Sequence, residues 1–335
     1  MKALLTGATG FVGAAVLRRL LAEGIDVRIL VRKGMVAPIR KGLPIEFMAG
    51  ELLDPVDMKQ AVSGCSALFH VAADYRLWVP DPQTMYAINV KGTLTLMQAA
   101  LDAGLERIVY TSSVAVLGLR PDGQAADEET PSMLEDMVGH YKRSKFMAEE
   151  EVHRLCREAG LPAIIVNPST PIGPGDSKPT PTGRMVRDAI AGKIPAYVDT
   201  GLNIVHVDDV AQGHWLAFKH GKIGERYILG GQNLSLKFIL TRLAQIAGRS
   251  PPMLRLPRFV LYPLAAGAQA WIHLRGRGVP RVTLDELRMT AKKMYFSSAK
   301  AERELGYNHR PAEHAFVDAV QWFQENPCQR GVTGK

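Results

Sequence analysis

A glycine-rich turn near the start of the chain restricts the possible folds more than any other feature. Its sequence, G-A-T-G-F-V-G, follows a predicted strand at Ala3–Thr6 and opens a helical pattern at Gly10–Glu23. One glycine makes the tight turn, one lets the backbone approach a pyrophosphate, and one lets the helix pack closely on the strand. The free backbone N–H groups at the N-terminus of the helix favour the binding of a phosphate group. This position predicts a dinucleotide-binding turn rather than a purely structural one. The residues predicted to contact the dinucleotide here are Gly7, Thr9, Gly10, Phe11, Val12 and Gly13.

Short apolar strands alternate with amphipathic helices through the first half of the chain. The predicted strands are Ala3–Thr6, Val27–Val31, Ile45–Met48, Ala67–Val71, Arg107–Thr111 and Ala163–Asn167. The predicted helices are Gly10–Glu23, Pro55–Ser63, Gln83–Ala103 and Tyr141–Ala159. This alternation predicts an α/β fold of the Rossmann type, a doubly wound parallel sheet with helices on both faces. We expect the dinucleotide-binding domain to occupy residues 1–170.

The regular alternation of predicted strands and helices ends after residue 170. The segment from Pro171 to Gly183 contains four prolines and three glycines, which predicts a long loop. A lid over the substrate is favoured over a plain linker, because long loops in compact domains are usually functional. Residues 171–335 are expected to form mainly a smaller substrate-binding cap, with some segments returning to the first domain. Its predicted helices are Asp208–His220, Ser235–Ala247, Thr283–Lys292, Ser297–Leu305 and Glu313–Glu325.

Composition and charge limit the classes of partner. With 47% hydrophobic and 22% charged residues, a chain of 335 residues is neither disordered nor fibrous. The net charge of +8 favours anionic ligands or an anionic membrane surface. No nucleic-acid-binding motif accompanies it. Three unpaired cysteines, Cys65, Cys156 and Cys328, indicate reduced thiols in a cytoplasmic protein. The local excess of basic residues comprises Arg255, Arg258, Arg275, Arg277, Arg281, Lys292 and Lys293.

One apolar stretch raises the question of membrane contact. Residues Phe259 to Leu274 are rich in apolar side chains but are interrupted by Pro263 and are too short to span a bilayer. They are compatible with a surface helix against lipid, a substrate-domain helix or a dimer contact. A buried helix explains the same pattern, so membrane contact is possible but not favoured. The N-terminus lacks the apolar core of a signal peptide.

The end of the second strand indicates which dinucleotide binds. An NAD site usually has Asp or Glu there to hold the ribose hydroxyls. In this chain the strand ends with Arg32 and Lys33, which could pair with a 2′-phosphate or could be ordinary solvated charges. The sequence therefore favours NADP(H), with NAD(H) possible. Glu51 and Leu52, after the third strand, are also predicted to contact the cofactor.

A tyrosine and a lysine lie four residues apart at a predicted helix start. At this spacing Tyr141 and Lys145 project from one face. A neighbouring ammonium stabilises a phenolate, so the pair could act as acid or base on a carbonyl or an alcohol. Ser113 ends the fifth strand at the sheet edge where ligands bind, and its hydroxyl could hold the substrate oxygen. The alternatives are a surface Tyr–Lys pair and a serine that satisfies backbone groups.

Other polar residues are weaker candidates. Asp74, Tyr75 and Trp78 follow the fourth strand and could reach the substrate. The His206–Asp209 run resembles a ligand cluster, but we expect it to cap the next helix instead, with Asp208 or Asp209 near the helix N-terminus, where negative charge is favoured. No metal site is predicted.

The motifs together resemble the extended short-chain dehydrogenases/reductases, specifically the NAD-dependent epimerase/dehydratase and dihydroflavonol-reductase-like family. The motifs are GATGFVG at 7–13, HVAA at 70–73, YTSSVAVLG at 110–118, YKRSK at 141–145, VHVDDVA at 205–211 and SSAKAERELGY at 297–307. The stretch NPSTPIGPGD at 167–176 looks most like hopanoid-associated sugar epimerases.

The resemblance implies a role for each matching residue. Ser113 would be the catalytic serine and Tyr141 the acid/base, while Lys145 would activate Tyr141 and hold the nicotinamide ribose. Asn89 would support the active-site helix. The family usually dimerises through two helices, which here would come from Gln83–Ala103 and Tyr141–Ala159. The residues implied to lie along the nicotinamide half of the cofactor are Ala72, Ala73 and Pro168.

The expected function is NADP(H)-linked redox chemistry at a carbonyl or secondary alcohol of a small-molecule substrate, which could be sugar-like, lipid-linked or aromatic. The reaction is either net ketone reduction or redox-neutral epimerisation of a sugar-like substrate. The alternative is a non-catalytic NADP(H)-sensing or scaffold protein on the same fold. The intact Ser113, Tyr141 and Lys145 group favours the enzyme.

Overall fold

The computed structural model describes residues 1–35, 44–76, 81–257, 259–263, 265–267 and 284–326, without the side chain of Glu286. Several residues singled out above therefore lie outside the described part of the chain. They are Trp78, Arg258, Leu274, Arg275, Arg277, Arg281 and Cys328. The predicted helical stretch Phe259–Leu274 is described only at 259–263 and 265–267, where the backbone is helical.

A seven-stranded parallel sheet is the centre of the fold. Its strand order is β10-β6-β5-β4-β1-β2-β3, which is the doubly wound Rossmann order with one further strand at the edge. The predicted fold class is confirmed. The strands of this sheet are β1 (Lys2–Thr6), β2 (Asp26–Val31), β3 (Ile45–Ala49), β4 (Ala67–His70), β5 (Arg107–Thr111), β6 (Ala163–Pro168) and β10 (Arg226–Leu229).

Helices cover both faces of this sheet. Side chains alternate along each strand, so neighbouring residues of β1 serve different cores: Leu5 packs on one face and Leu4 on the other. The helices on the Leu5 face are α1 (Phe11–Ala22), α7 (Val207–His220) and α10 (Ala299–Leu305). Those on the Leu4 face are α2 (Pro55–Val62), α4 (Thr93–Asp102) and α5 (His140–Ala159).

The predicted single helix Gln83–Ala103 is interrupted by a wider turn. A short helix α3 (Pro82–Tyr86) continues into a π-helical segment at Ala87–Gly92 before α4 begins. The Asn89 side chain within this segment bonds to groups outside its own helix. Single π-helical turns of this kind are frequent at functional sites. The interruption reflects those tertiary hydrogen bonds, which a periodic sequence pattern does not reveal.

The prediction of one continuous loop from Pro171 to Gly183 is wrong at both ends. A short strand β7 (Thr170–Ile172) pairs with β9 (Gly201–His206), and helix α6 (Pro181–Ile190) begins within the stretch. Pro171 is tolerated because β7 is an edge strand. Pro181 starts α6 because proline suits the first helical position, and the Thr180 hydroxyl caps the helix by accepting from the Gly183 N–H.

A smaller layer completes the C-terminal part. Strand β9 lies between β7 and the antiparallel β11 (Gln232–Ser235). Helix α6 packs there with α8 (Leu236–Ile246) and α11 (Ala312–Glu325) around a separate apolar core. Two further strands, β8 (Ala196–Tyr197) and β12 (Leu254–Arg255), pair in parallel, and a short helix α9 occupies Leu284–Met289. Since β10 and α7 join the central sheet, we propose that residues 171–335 divide between the cap and the first domain.

None of the described helices is both long enough and apolar enough to cross a bilayer.

Candidate functional site

A cavity of about 650 Å³ opens along the carboxyl edge of the parallel sheet. This is the edge where ligands bind in doubly wound folds, because the loops after adjacent strands meet there. All of the cofactor and catalytic residues predicted from the sequence line the cavity, with the exception of Lys33. They are Gly7, Thr9, Gly10, Phe11, Val12, Gly13, Arg32, Glu51, Leu52, Ala72, Ala73, Ser113, Tyr141, Lys145 and Pro168.

The glycine turn has the geometry of a phosphate cradle. Gly7 adopts a φ of +78°, and a Cβ at this position would lie 2.7 Å from the Ala72 backbone nitrogen. A Cβ on Gly13 would collide with the Gly7 carbonyl oxygen, so the third glycine permits the close contact of helix and strand. Gly10 is the N-cap of α1 and no side chain caps the helix, which leaves its first N–H groups free for an anion. These residues fit the pyrophosphate of a dinucleotide.

The two basic residues after β2 differ in their surroundings. Arg32 is exposed and lines the cavity, and its guanidinium forms no hydrogen bond or ion pair with another described residue, although its charge, after the contacts of Arg76, helps to lower the pKa of the Asp74 carboxyl. The Lys33 ammonium is instead paired with Asp57 at 2.8 Å. Asp57 also accepts a hydrogen bond of 2.8 Å from the Glu51 N–H, which fixes the loop after β3. Arg32 is therefore the basic group of this pair that is available to a ligand.

Ser113 and Tyr141 meet at the centre of the cavity. The two half-buried hydroxyl groups hydrogen-bond to each other, and the Ser113 oxygen also accepts from the Ala115 N–H at 3.1 Å. Burial raises the pKa of the Tyr141 phenol, while the bond from Ser113 opposes this rise. Tyr141 is therefore a neutral phenol that can donate a proton.

Lys145 is a buried cation with two nearby hydrogen-bond acceptors. Its ammonium donates to the Tyr110 hydroxyl at 2.9 Å and to the Thr111 carbonyl at 2.7 Å, and it lies 4.5 Å from the centre of the Tyr110 ring. Burial lowers the pKa of Lys145 to about 7, although the Glu149 carboxylate favours the charged form. Lys145 is therefore poised to change its charge near neutral pH.

Sequence reasoning did not identify Tyr110. It precedes the T-S-S motif on a buried strand, where an aromatic residue normally indicates packing. The side chains of β5 alternate between the two faces of the sheet, and this alternation is the one sequence signal that could have placed Tyr110. It puts Tyr110 on the face whose core also contains residues of α5. Tyr110 can therefore face the helix that carries Lys145.

A chain of hydrogen bonds fixes the start of α5. Asn89 donates to the Asp74 carbonyl at 2.8 Å and to the Ser144 hydroxyl at 2.9 Å, and it accepts from the Asp74 N–H at 2.7 Å. Ser144 in turn donates to the Tyr141 carbonyl at 2.9 Å. The π-helical segment thus connects to the helix that carries Tyr141.

Of the residues considered weaker candidates, some line the cavity and others are paired elsewhere. Tyr75 lines the cavity, whereas the Asp74 carboxylate is paired with Arg76. The N-cap of α7 is His206, which accepts from the Asp208 N–H at 3.0 Å, and Asp208 and Asp209 lie in the first turn of the helix, so the expected capping role of this run is confirmed. The Asp209 carboxylate is paired with Arg310 instead. Among the described residues, no group of three or more His, Cys, Asp and Glu side chains could hold a metal ion.

The rest of the cavity wall is largely apolar and comes from distant parts of the chain. Ile88 lies on the π-helical segment, Leu202 on β9, and Met289 and Met294 at and after α9. Lys142, next to Tyr141, also lines it, and burial lowers the pKa of this lysine to about 8. These residues were not predicted, because nothing in the local sequence connects them with the glycine turn.

Comparisons with known proteins identify the family of the chain. The model of the NAD dependent epimerase/dehydratase family matches residues 3–230. A dihydroflavonol 4-reductase-like protein of Synechocystis is 45% identical, with 96% of this chain and 94% of that protein covered. Sterol demethylase protein B of Methylococcus capsulatus is 34% identical, with coverage of 97% and 99%. The crystal structure of gox2253 is 54% identical and superposes with a TM-score of 0.88, covering 98% of this chain and 99% of that one.

The family model spans more than half of the chain, and both relatives exceed 30% identity over nearly its full length. The resemblance inferred from the sequence motifs is therefore confirmed. The chain belongs to the NAD-dependent epimerase/dehydratase family and is an enzyme of the extended short-chain dehydrogenase/reductase type.

Proposed function

We propose that this enzyme is an NADP(H)-dependent reductase of a lipophilic ketone, with Ser113, Tyr141 and Lys145 as its catalytic residues. The observation that carries the proposal is that these three side chains line the cavity that begins at the glycine turn, where Ser113 and Tyr141 are hydrogen-bonded to each other. A proton donor (Tyr141), a hydrogen-bond donor (Ser113) and a cation (Lys145) would then line the cavity in which the dinucleotide would bind.

Tyr141 would donate its proton to the substrate oxygen. The Ser113 hydroxyl, which is hydrogen-bonded to Tyr141, would donate to the same oxygen and stabilise the charge that develops on it. Lys145 in its protonated form would stabilise the phenolate that remains after transfer. A bound nicotinamide cofactor supplies the hydride for the carbonyl carbon. In the reverse direction Tyr141 would accept the proton of an alcohol.

The chain's own residues would hold the cofactor along the sheet edge. The glycine turn and the N-terminus of α1 would bind the pyrophosphate. Arg32 would bind the 2′-phosphate of NADP(H), because its guanidinium lines the cavity without a partner among the described residues. Lys33 would contribute less, since it is paired with Asp57. The remaining predicted contacts are Glu51, Leu52, Ala72, Ala73 and Pro168.

The cavity wall supports an apolar substrate. The later chain segments line the cavity with the apolar residues Leu202, Met289 and Met294, beside polar residues that include Lys178 and Asp285. Two relatives carry names that refer to a dihydroflavonol and to a sterol, both compounds built on several carbon-rich rings. We infer the same broad class here, a ketone or secondary alcohol on an apolar skeleton.

Epimerisation of a sugar-like substrate is the second candidate. It is favoured by the stretch at 167–176, which resembles hopanoid-associated sugar epimerases, and by the family itself. An epimerase returns its hydride to the same substrate and therefore has no need to release its cofactor between turnovers. A reductase must exchange its cofactor in every cycle.

Cofactor retention separates these two functions. Freshly purified protein is denatured and the released nucleotides are identified by mass spectrometry. The reductase proposal predicts little retained nucleotide and reversible binding of added NADPH. Stoichiometric, tightly held NAD or NADP would instead support the epimerase. Loss of all turnover in the Tyr141→Phe variant would exclude a non-catalytic sensor or scaffold.

We further propose a cytoplasmic homodimer, formed through the helices α4 and α5. The side chain of Met147 on α5 is exposed, as expected of an apolar residue at such a contact. Light scattering on the Met147→Glu variant tests this, since a charge at the proposed contact should produce monomers.

A further inference from the structure

The chain's positive charge is concentrated in one stretch without acidic residues. Between Glu225 and Asp285 there is no Asp or Glu, whereas nine residues are Lys or Arg. Removing these nine from the 41 basic residues leaves 32, against 33 acidic residues in the rest of the chain. The net charge of +8 therefore arises entirely within this stretch.

The same stretch contains the most exposed large apolar side chains of the described residues. Met253 is 90% exposed and Phe259 is 73% exposed, and their neighbours Leu254 and Val260 are also exposed. Burial of such side chains against a partner is favourable, so their joint exposure indicates a contact surface.

These side chains are held on an anchored backbone. Strand β12 pairs with β8, and the Leu256 N–H donates to the Tyr197 carbonyl at 2.8 Å. Arg255 is paired with Asp199 at 2.7 Å. Met253 precedes this anchored segment and Phe259 follows it, so both residues flank a backbone segment that is held in place by hydrogen bonds.

We propose that this surface docks on an anionic lipid bilayer. We call it the basic apolar surface and define it by Arg249, Met253, Leu254, Arg255, Phe259 and Val260. Arg249 would be attracted to anionic headgroups, with a smaller contribution from Arg255 because it is paired with Asp199, while the methionine and phenylalanine side chains would enter the boundary between headgroups and acyl chains. A second copy of the chain is a poorer occupant, because a symmetric contact would bring two such cationic surfaces together.

The location of the surface has a consequence that rests on the proposed function. The acid-free stretch leads directly into α9, where Asp285 and Met289 line the cavity. A lipophilic substrate dissolved in the bilayer would then be close to the part of the chain that forms the cavity wall. The docking itself depends on neither cofactor nor substrate.

Co-sedimentation with vesicles tests the docking. The full chain is incubated with vesicles of phosphatidylcholine alone and with vesicles of equal parts phosphatidylcholine and phosphatidylglycerol. We expect binding to the anionic vesicles only, and loss of that binding as salt screens the charges. The Arg249→Gln variant should bind these vesicles about fivefold more weakly, because one cation near an anionic surface contributes that factor.

A double variant, Met253→Asp with Phe259→Asp, tests the apolar part and should abolish binding. The control is Ile223→Asp, which places a charge at an exposed apolar position just outside the acid-free stretch and should bind like the wild type. Absence of binding by the wild type, equal binding to both kinds of vesicle, or equal loss in the control would overturn the proposal. A second copy of the chain would be the occupant if the wild type is dimeric and does not bind vesicles while the double variant is monomeric. That result would overturn the proposal.

Discussion

The Lys145 ammonium lies 2.9 Å from the Tyr110 hydroxyl and 4.5 Å from the centre of the same ring. Both side chains are buried, and burial raises the pKa of Tyr110 well above its usual value. Tyr110 therefore stays neutral, and its oxygen accepts a hydrogen bond from the cation. In our account this bond is one of the contacts that keep Lys145 protonated beside Tyr141.

The Tyr110→Phe variant tests that role. It removes the hydroxyl but keeps the ring, so the ammonium loses an acceptor worth about 1.5–3 kcal/mol. The pKa of Lys145 should then fall further below its value of about 7. Lys145 loses its charge as the pH rises through its pKa, so we expect the high-pH limb of the kcat profile for ketone reduction to move down by about one to two units.

Tyr227→Phe is the matched control for this variant. Tyr227 is also fully buried, but its hydroxyl bonds to the Lys222 N–H and the Glu304 carboxylate, away from the cavity. This variant can lose stability but should keep the wild-type pH profile. An unchanged profile in Tyr110→Phe, or the same shift in both variants, would show that Tyr110 only packs in the core.

Arg32 should determine the choice between NADPH and NADH. Replacing it with Glu removes a charge-assisted contact to the 2′-phosphate, so the Kd of NADPH should rise by about tenfold or more. The Kd of NADH should change little, because NADH lacks that phosphate. Fluorescence titration of both cofactors measures the ratio. Lys33→Gln is the comparison and should have a smaller effect, and a larger effect there would assign the phosphate to Lys33.

His70 makes stability dependent on pH. Its Nδ1 lies 2.7 Å from the Thr6 hydroxyl and its Nε2 lies 3.0 Å from the Thr93 hydroxyl. Thr93 already donates to the Asn89 carbonyl, so a neutral imidazole with the proton on Nε2 satisfies both contacts. Burial, together with the charge of Lys145, lowers the pKa of His70 to about 3.

The sign of the effect follows from this shift. The folded-state pKa is below the usual 6.5, so the unfolded chain binds a proton first as the pH falls. Stability is therefore complete above pH 6.5 and declines between pH 6.5 and about 3. When the pH falls from 7 to 5, the free energy of unfolding should decrease in the wild type by about 2 kcal/mol more than it decreases in the His70→Gln variant.

Urea unfolding at the two pH values measures this difference. The His220→Gln variant controls for the loss of an exposed imidazole. Equal pH dependence in the wild type and His70→Gln would contradict the neutral, buried state of His70.

Local patterns made the first half of the fold predictable. Strand β1, the glycine turn and α1 were predicted from adjacent residues whose sequence alone specifies strand, turn and helix. The candidate site followed from this, because the loops after parallel strands meet at one edge. Ser113 and Tyr141 could thus be brought together from positions that are far apart in the sequence.

The features that were missed depend on tertiary contacts. The π-helical turn at Asn89 follows from bonds to Asp74 and Ser144, which no helical periodicity encodes. Proline-rich composition concealed α6, although Thr180 and Pro181 form a recognisable helix start. The position of Tyr110 beside Lys145 requires knowing which face of β5 meets α5. Met289 lines the cavity only because the C-terminal segments fold back over it.

The central claim is that Tyr141 is the proton donor of an NADPH-dependent ketone reductase. The most direct measurement is NADPH oxidation by the wild type and by Tyr141→Phe with a panel of lipophilic ketones, alongside titration of NADPH binding. The account predicts ketone-dependent oxidation by the wild type, a loss of about 100-fold or more in kcat for the variant, and a nearly unchanged Kd for NADPH. Undiminished kcat in the variant, with its Kd for NADPH also unchanged, would contradict the claim.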